Sequence, residues 1–261
     1  RPYALLRIDE STAPGSIRLR LRTLEMNAQA AAQRGGFERR STPPYRKHDR
    51  RRTLLTVPLD PLLSRVLGAE FRRLGFRLEV APETDHRSLE LGLKHVNNEI
   101  CYPAILVIGD VLKALSSGRY PLSETAVLLT QTGGPCRASN YVSLLKKAMV
   151  SAGFGEVPVV TAGAALNEQP GFRYDRFALW TSGVQTVVVI DALSMMARAL
   201  APRELVKGQA ALVAGRLADE WAAQERRGFS AALDFVERAC REMAAVPASR
   251  VSLPRVGIVG E

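Results

Sequence analysis

The sequence predicts an α/β protein with a doubly wound, mostly parallel sheet and a helical insertion or subdomain. Between residues 53 and 161, short apolar runs alternate with helical segments, several of ten or more residues. Such alternation is typical of βαβ units, whose strands are parallel. Boundary signals separate the runs: Asp60-Pro61 and Pro103 begin helices, while Gly75 and Gly153 end them. From residue 173 the chain is rich in Ala, Leu and Val without a convincing strand, which predicts several helices.

The first 52 residues are expected to form an N-terminal segment and a basic linker. A short strand is predicted over residues 3–8 and an Arg-rich helix over residues 16–32. Gly35-Gly36 and Pro43-Pro44 then interrupt regular structure. The basic residues on both sides of these prolines predict a solvated linker.

Residues 53–172 are predicted to form the α/β domain that contains two of the cysteines. Its elements are expected in this order: strand 53–58, helix 61–74, strand 77–81, helix 87–95, helix 103–115, strand 125–130, helix 137–152 and strand 157–161.

Residues 173–250 are predicted to be a helical subdomain, and residues 251–261 the start of a further α/β unit. The apolar run 184–200 contains Gln185, Asp191 and Arg198, so it predicts a buried helix and no membrane span. The last run, 256–259, has the composition of a strand with no helix after it to cover it. We therefore expect the chain to be a fragment of a longer protein.

Composition gives a first indication of compartment and partners. Three cysteines in 261 residues do not make a disulfide framework, which favours a reducing, cytoplasmic setting. The formal net charge of +10 raises the question of an anionic partner. No zinc-finger spacing, basic zipper or RNA-binding aromatic signature accompanies the basic residues, so the sequence alone gives no support for nucleic acid.

Two cysteines lie where helices are predicted to begin. Cys101 precedes Tyr102-Pro103, and Cys136 follows a turn that contains Gly133, Gly134 and Pro135. A thiolate at a helix N-terminus is stabilised by the helix dipole and by free backbone N–H groups, which makes it a better metal ligand. The two glycines would let backbone approach a bulky ligand closely, and Arg137 adds positive charge beside the thiolate. One turn further, Asn140 and Tyr141 could donate hydrogen bonds to a ligand.

The alternative for each cysteine is a small core thiol, and for Cys240, predicted in the middle of a helix, packing is the favoured interpretation. The sequence contains no CxxC pair, and two cysteines do not complete a zinc or iron–sulfur site. A further ligand would have to come from beyond residue 261, from another subunit or from a group other than cysteine. Phosphate-loop, dinucleotide-binding, nucleophile-elbow and HExxH motifs are all absent from the sequence.

At the cysteine motifs the sequence resembles the 2-hydroxyacyl-CoA dehydratase superfamily, and most closely the dehydratase-subunit-like region of the large activase-related proteins. The resemblance spans most of the chain. Its matching segments are DE at 9–10, APG at 13–15, Pro58, LELG at 89–92, EICYP at 99–103, GD at 109–110, GPCR at 134–137, NY at 140–141 and VGIVGE at 256–261.

The resemblance implies a flavodoxin-like module in which the Cys101 and Cys136 thiolates hold a [4Fe–4S] or double-cubane cluster. Relatives receive single electrons from an ATP-hydrolysing activator, in some cases fused to them, and dehydrate 2-hydroxyacyl-CoA esters or carry out related difficult reductions in anaerobic metabolism. By this resemblance the chain would serve electron transfer within a lyase or an ATP-dependent reductase system. Gly133 and Gly134 would give the cluster close access, Arg137 would tune its charge, and Asn140 would lie beside it.

Two other interpretations stay open at this point. The chain could be a non-catalytic α/β binding or scaffolding module without a complete cluster site. It could also bind an anionic partner through the basic linker. The sequence does not decide the substrate, the cluster type or whether the chain forms homo-oligomers.

Overall fold

The computed structural model describes residues 14–33, 41–97, 100–131, 136–161, 169–175, 177, 179–224 and 228–250, together with Ser252, Pro254 and Gly257. The chain divides into two compact units, residues 1–41 and residues 42–261. The first unit contains helix α1, Pro14–Gln33, at the place of the predicted Arg-rich helix. The strands predicted at 3–8 and 256–259 lie outside the described residues.

The second unit is built on a four-stranded parallel sheet, so the predicted fold class is confirmed. Its strands are β1, Thr53–Thr56, β2, Arg77–Val80, β3, Thr125–Leu128, and β4, Val159–Val160. They lie in the order β2-β1-β3-β4, with every pair parallel. The chain leaves β1 toward one side for β2 and later crosses to the other side for β3. This order is the one found in flavodoxin-like sheets.

Four helices connect these strands, at the predicted places. They are α2, Pro61–Arg73, α3, His86–His95, α4, Tyr102–Ser116, and α5, Tyr141–Ser151. The Asp60 carboxylate accepts hydrogen bonds from the backbone N–H groups of Leu62 and Leu63 and so caps α2. Gly75 and Gly153 have φ angles of +79° and +89°, which only glycine adopts without strain, and they end α2 and α5.

Helices α3 and α4 pack antiparallel with their backbones almost in contact. A Cβ atom on Gly92 would lie 2.1 Å from the Ile105 carbonyl oxygen, and one on Gly109 would lie 1.7 Å from that of Ser88. Only glycine permits this approach. Beside the crossing, the buried Asp110 carboxylate accepts a hydrogen bond of 2.7 Å from the Thr84 hydroxyl.

Three further helices follow the sheet, as predicted for residues 173–250. They are α6, Val184–Leu200, α7, Gln209–Ala223, and α8, Phe229–Ala244, and a single turn of π-helix, Leu179–Gly183, precedes them. Their shared apolar cluster includes Val66 of α2. Trp221 is fully buried in it, and its indole N–H donates a hydrogen bond of 3.0 Å to the Thr186 hydroxyl.

The prediction of a buried helix over 184–200 is only half right. Val189, Ile190 and Leu193 of α6 are buried, whereas Val184, Val187, Val188 and Met195 are exposed. The stretch Thr181–Leu200 has the length and composition of a membrane span. The face of this helix that carries Val189, Ile190 and Leu193 belongs to the apolar cluster of the helices after the sheet, and a cytoplasmic location stays a prediction.

The segment before β1 differs from the predicted solvated linker. Tyr45 and Asp49 are buried, although the basic residues around them are exposed. Asp49 binds the Arg52 guanidinium at 2.7 Å, and the Tyr45 ring lies edge-on to Phe172. These contacts anchor the segment in the second unit, which begins at Thr42. Residues 53–172 and the helices that follow lie within this same unit.

Candidate functional site

The two cysteine motifs lie on different kinds of connection: that of Cys136 leaves the carboxyl end of β3, and that of Cys101 joins helices α3 and α4. In an open parallel sheet, ligands bind outside these ends where the strand order reverses, which here is between β1 and β3. Cys136 lies on the connection from β3 to α5, and Cys101 lies at the start of α4. The predicted placement of Cys136 beyond the strand ends agrees with this topology.

Cys101 is the N-cap residue of α4, as the sequence predicts. Its carbonyl oxygen accepts hydrogen bonds from the N–H groups of Ala104 and Ile105, and Pro103 is the second residue of the helix. The Cys101 side chain is half-buried and forms no capping hydrogen bond. The thiol is therefore beside the positive end of a 15-residue helix.

Cys136 occupies a similar position at the other motif. It is the N-cap residue of a 3-10 turn, Arg137–Asn140, that leads directly into α5. Its sulfur accepts a hydrogen bond of 3.5 Å from the Ala138 N–H, and its carbonyl oxygen accepts from the Ser139 hydroxyl at 2.8 Å. Cys136 is exposed, so its thiol is accessible to a ligand.

Tyr141 connects the two cysteine motifs. Its hydroxyl lies 3.4 Å from the Cys101 sulfur. Burial, the hydrogen bond with Cys101 and the negative charge that either cysteine would carry as a thiolate raise the pKa of Tyr141 to about 12. The phenol therefore stays protonated near neutral pH and can donate a hydrogen bond to sulfur. The structure thus joins the Cys101 thiol to the helix that follows the Cys136 motif.

The other predicted site residues fall into two groups. Arg137 and Asn140 begin and end the 3-10 turn after Cys136, and Asn140 is exposed. Gly133 and Gly134 lie outside the described residues. Cys240 lies within α8, as expected, but it is exposed, so the packing role predicted for it is wrong.

Asp60 is a polar group at this end of the sheet that the sequence indicated only as a helix cap. Its carboxylate also accepts a hydrogen bond of 3.1 Å from Ser194 and lies 3.5 Å from the Arg198 guanidinium, both on α6. Those partners are more than 130 residues away in the chain. Asp60 is thereby engaged in holding α6 against α2 and is not available as a ligand.

The donor set suits a metal cluster only in part. Thiolates are the usual ligands of iron–sulfur clusters, and two of the four that a cubane normally takes are present here. Within the described residues, no group of three or more His, Cys, Asp or Glu side chains could hold a metal ion. Further ligands would have to come from outside these residues.

Comparisons of the chain with protein-family models, with curated proteins and with solved structures found no match.

Proposed function

We propose that this chain is an iron–sulfur module of the 2-hydroxyacyl-CoA dehydratase superfamily, with Cys101 and Cys136 as cluster ligands. The observation that supports the proposal is their matched geometry. Each is the N-cap residue of a helical segment. Cys136 follows the carboxyl end of β3, and Tyr141, in the helix after it, has its hydroxyl 3.4 Å from the Cys101 sulfur, which joins the two motifs. Two plain core thiols would not require this arrangement.

The surrounding groups have definite roles in this proposal. The helix dipole of α4 and the Ala138 N–H stabilise negative charge on the sulfur atoms. Tyr141 donates a hydrogen bond to Cys101, and such bonds to ligand sulfur tune the potential of an iron–sulfur cluster. Gly133 and Gly134 would let backbone approach the cluster, with Arg137 and Asn140 beside it.

The proposed role is ATP-coupled electron transfer at low potential. The bound cluster would supply single electrons, received from an ATP-hydrolysing activator, for the dehydration of a 2-hydroxyacyl-CoA ester or a related reduction. This role and the substrate class depend on the resemblance of the cysteine motifs to those of the 2-hydroxyacyl-CoA dehydratase superfamily.

A second candidate function is a binding or scaffolding module without a cluster. The observation in its favour is that no group of three or more possible metal ligands comes together among the residues that the structure describes. Iron content separates the two functions, because a scaffolding module would bind no stoichiometric iron or sulfide.

The test is anaerobic reconstitution of the chain with iron and sulfide, followed by metal analysis and a visible absorption spectrum. We expect iron and sulfide in equal amounts and a broad absorption band that reduction bleaches. Cys136→Ser should lose most of the iron, because a serine hydroxyl is a poor substitute for the thiolate that binds cluster iron.

Cys240→Ser is the matched control. Cys240 is also an exposed thiol, but it lies within a helix and near neither of the other two cysteine motifs in the sequence. Its variant should retain the iron content of the parent chain. Equal loss of iron in both variants would refute the assignment of Cys136, and absence of iron in the parent would favour the scaffolding module.

A further inference from the structure

Four exposed arginines from three separate segments meet at the amino end of the sheet. We call them the arginine patch: Arg50 and Arg51 before β1, Arg77 at the start of β2, and Arg173 after β4. The Arg50 guanidinium donates hydrogen bonds to the carbonyl oxygens of Arg173 at 3.3 Å and Leu74 at 3.2 Å. The Arg77 guanidinium donates to the carbonyl oxygen of Arg51.

The backbone beneath the patch explains why these segments converge. A Cβ atom on Gly171 would lie 2.2 Å from the Arg46 carbonyl oxygen, and the Gly171 N–H donates to the carbonyl oxygen of Tyr45. The loop that contains Gly171 and Arg173 is therefore held directly against the segment that contains Arg50. Arg50 also lies over the Phe76 ring, 4.7 Å from its centre. The Arg50 and Arg77 guanidinium groups are thus held in place before any partner binds.

No carboxylate neutralises the patch in the part of the chain that the structure describes. None of the four arginines forms an ion pair there. The acidic residues nearest to them in sequence have other partners: Asp49 pairs with Arg52, Glu79 pairs with Arg119, and the Asp175 carboxylate accepts a hydrogen bond from the Phe177 N–H. The four guanidinium charges of the patch are part of the formal net charge of +10. Such a surface attracts polyanions over long distances.

The chemistry of the patch distinguishes between two kinds of polyanion. A protein interface normally has an apolar centre surrounded by polar groups. Three aromatic side chains, Tyr45, Phe76 and Phe172, are buried beneath the arginines, and Tyr174, which packs against Phe172, is partly buried. A surface made mainly of guanidinium groups suits phosphate groups, which need only charge and hydrogen-bond donors. None of these four rings is fully exposed, which disfavours stacking on single-stranded bases.

We propose that the arginine patch binds the sugar–phosphate backbone of double-stranded nucleic acid without preference for sequence. In the sequence, the basic segment before β1 indicated only an anionic partner in general, because Arg77 and Arg173 are far along the chain from it. The patch lies at the amino end of the sheet, whereas Cys136 follows the carboxyl end of β3, so the proposal does not depend on the cluster.

The test measures binding of the full chain to fluorescent 20-base-pair duplexes of random sequence, one DNA and one RNA, at several salt concentrations. We expect log K to fall linearly with log salt concentration, with a slope of about −0.9 for each phosphate contact. The double variant Arg51→Gln/Arg173→Gln should reduce the size of this slope by roughly 2 and weaken binding at low salt on the order of tenfold for each arginine. Both side chains are exposed and neither donates a hydrogen bond to another described residue, so this variant should fold normally.

The control variant is Arg203→Gln/Arg250→Gln. It removes the same charge from exposed positions that follow α6 in the sequence. Helix α6 contacts the carboxyl end of the sheet through Arg198 and Asp60, whereas the patch lies at the amino end. It should keep the parent slope. An equal loss in both double variants would overturn the proposal, because binding would then follow net charge alone. Poly-glutamate that competes as strongly as a duplex of the same charge would also overturn it, in favour of an acidic protein.

Discussion

At the scale of single residues, Tyr45 is a buried tyrosine in an unusual state. It is fully buried, and its hydroxyl has no hydrogen-bond partner among the described residues. Burial, followed by the nearby Asp49 carboxylate, raises the pKa of Tyr45 to about 12. The folded protein therefore holds this proton more tightly than the unfolded chain, in which tyrosine titrates near pH 10.

We predict that Tyr45→Phe makes the protein more resistant to alkaline unfolding. The stabilisation from the protonated phenol is complete below about pH 10 and is lost as the pH rises toward 12. Because the pKa of Tyr45 differs by about two between the folded and unfolded states, the full loss is about 2 to 3 kcal/mol of unfolding free energy. A phenylalanine has no proton to lose. Urea unfolding at pH 8 and at pH 11 should show a smaller decrease in the free energy of unfolding for the variant.

At pH 8 the free energy of unfolding of the same variant should equal or exceed that of the parent by up to about 1 kcal/mol. The hydroxyl that the substitution removes has no hydrogen-bond partner to lose among the described residues. Tyr141, whose pKa is also raised to about 12, remains and leaves part of the alkaline loss in place. A marked loss of stability at pH 8 would mean that the Tyr45 hydroxyl has a partner in solution.

The positions of the candidate ligands could be predicted at this scale, but their neighbourhood could not. Pro103 after Cys101, and the glycines and proline before Cys136, are local signals for the start of a helix, and both cysteines are N-cap residues. The contact of Tyr141 with Cys101 joins residues 40 positions apart. No local pattern records such a contact, because it depends on how α4 and α5 pack.

At the scale of elements, the tightest contact is the crossing of α3 and α4 at Gly92 and Gly109. We predict that Gly109→Ala lowers the free energy of unfolding by about 3 kcal/mol or more, since its methyl group would overlap the Ser88 carbonyl. The Ser88 carbonyl oxygen is a backbone atom, and an alanine Cβ is fixed by the backbone, so no side-chain rotation can relieve the overlap. Chemical denaturation followed by circular dichroism measures the change.

Gly215→Ala is the control for this substitution. Gly215 also lies inside a helix, α7, but a Cβ atom there would meet nothing closer than the Arg65 side chain at 3.7 Å. Alanine has the higher helix propensity, so this variant should be more stable by up to about 1 kcal/mol. Similar losses in the two variants would show that the crossing is looser than the structure indicates.

Element positions in the α/β region followed closely from the sequence, because Asp60, Gly75 and Gly153 are boundary signals with local causes. The extent to which α6 is buried could not be predicted from the sequence in the same way. Val184, Val187 and Val188 are apolar, but a helix that is apolar on all sides can pack on only one side when α7 and α8 cover just that side. Which side remains exposed is decided by packing and not by composition.

At the scale of the molecule, helix α2 links the sheet to the helices after it. Leu67 and Phe71 pack on the sheet side, whereas Val66 belongs to the cluster of α6, α7 and α8. Polar contacts reinforce the link: Arg65 forms a two-bond ion pair with Asp219, and Arg73 donates to the carbonyl oxygens of Ala222 and Gln224.

We therefore predict that residues 42–250 unfold as one cooperative unit. Val66→Ala should lower stability by about 2 kcal/mol, because it leaves a cavity in a fully buried position. The decrease should be the same whether it is measured by hydrogen exchange of amides in β1 and β3 or of amides in α7. Loss of protection in α7 alone would instead indicate two independently folding parts.

The glycine crossing has a further consequence for motion. Because Gly92 and Gly109 bring the two backbones together at points more than a helical turn apart, α3 and α4 cannot slide or rotate past each other and must move as a single rigid lever. Cys101 lies at one end of this lever. At the other end, Lys113 holds Asp85 at 3.2 Å and donates to the carbonyl oxygen of Glu83. A displacement of the Cys101 thiol would thus be transmitted over the length of α4 to the loop after β2.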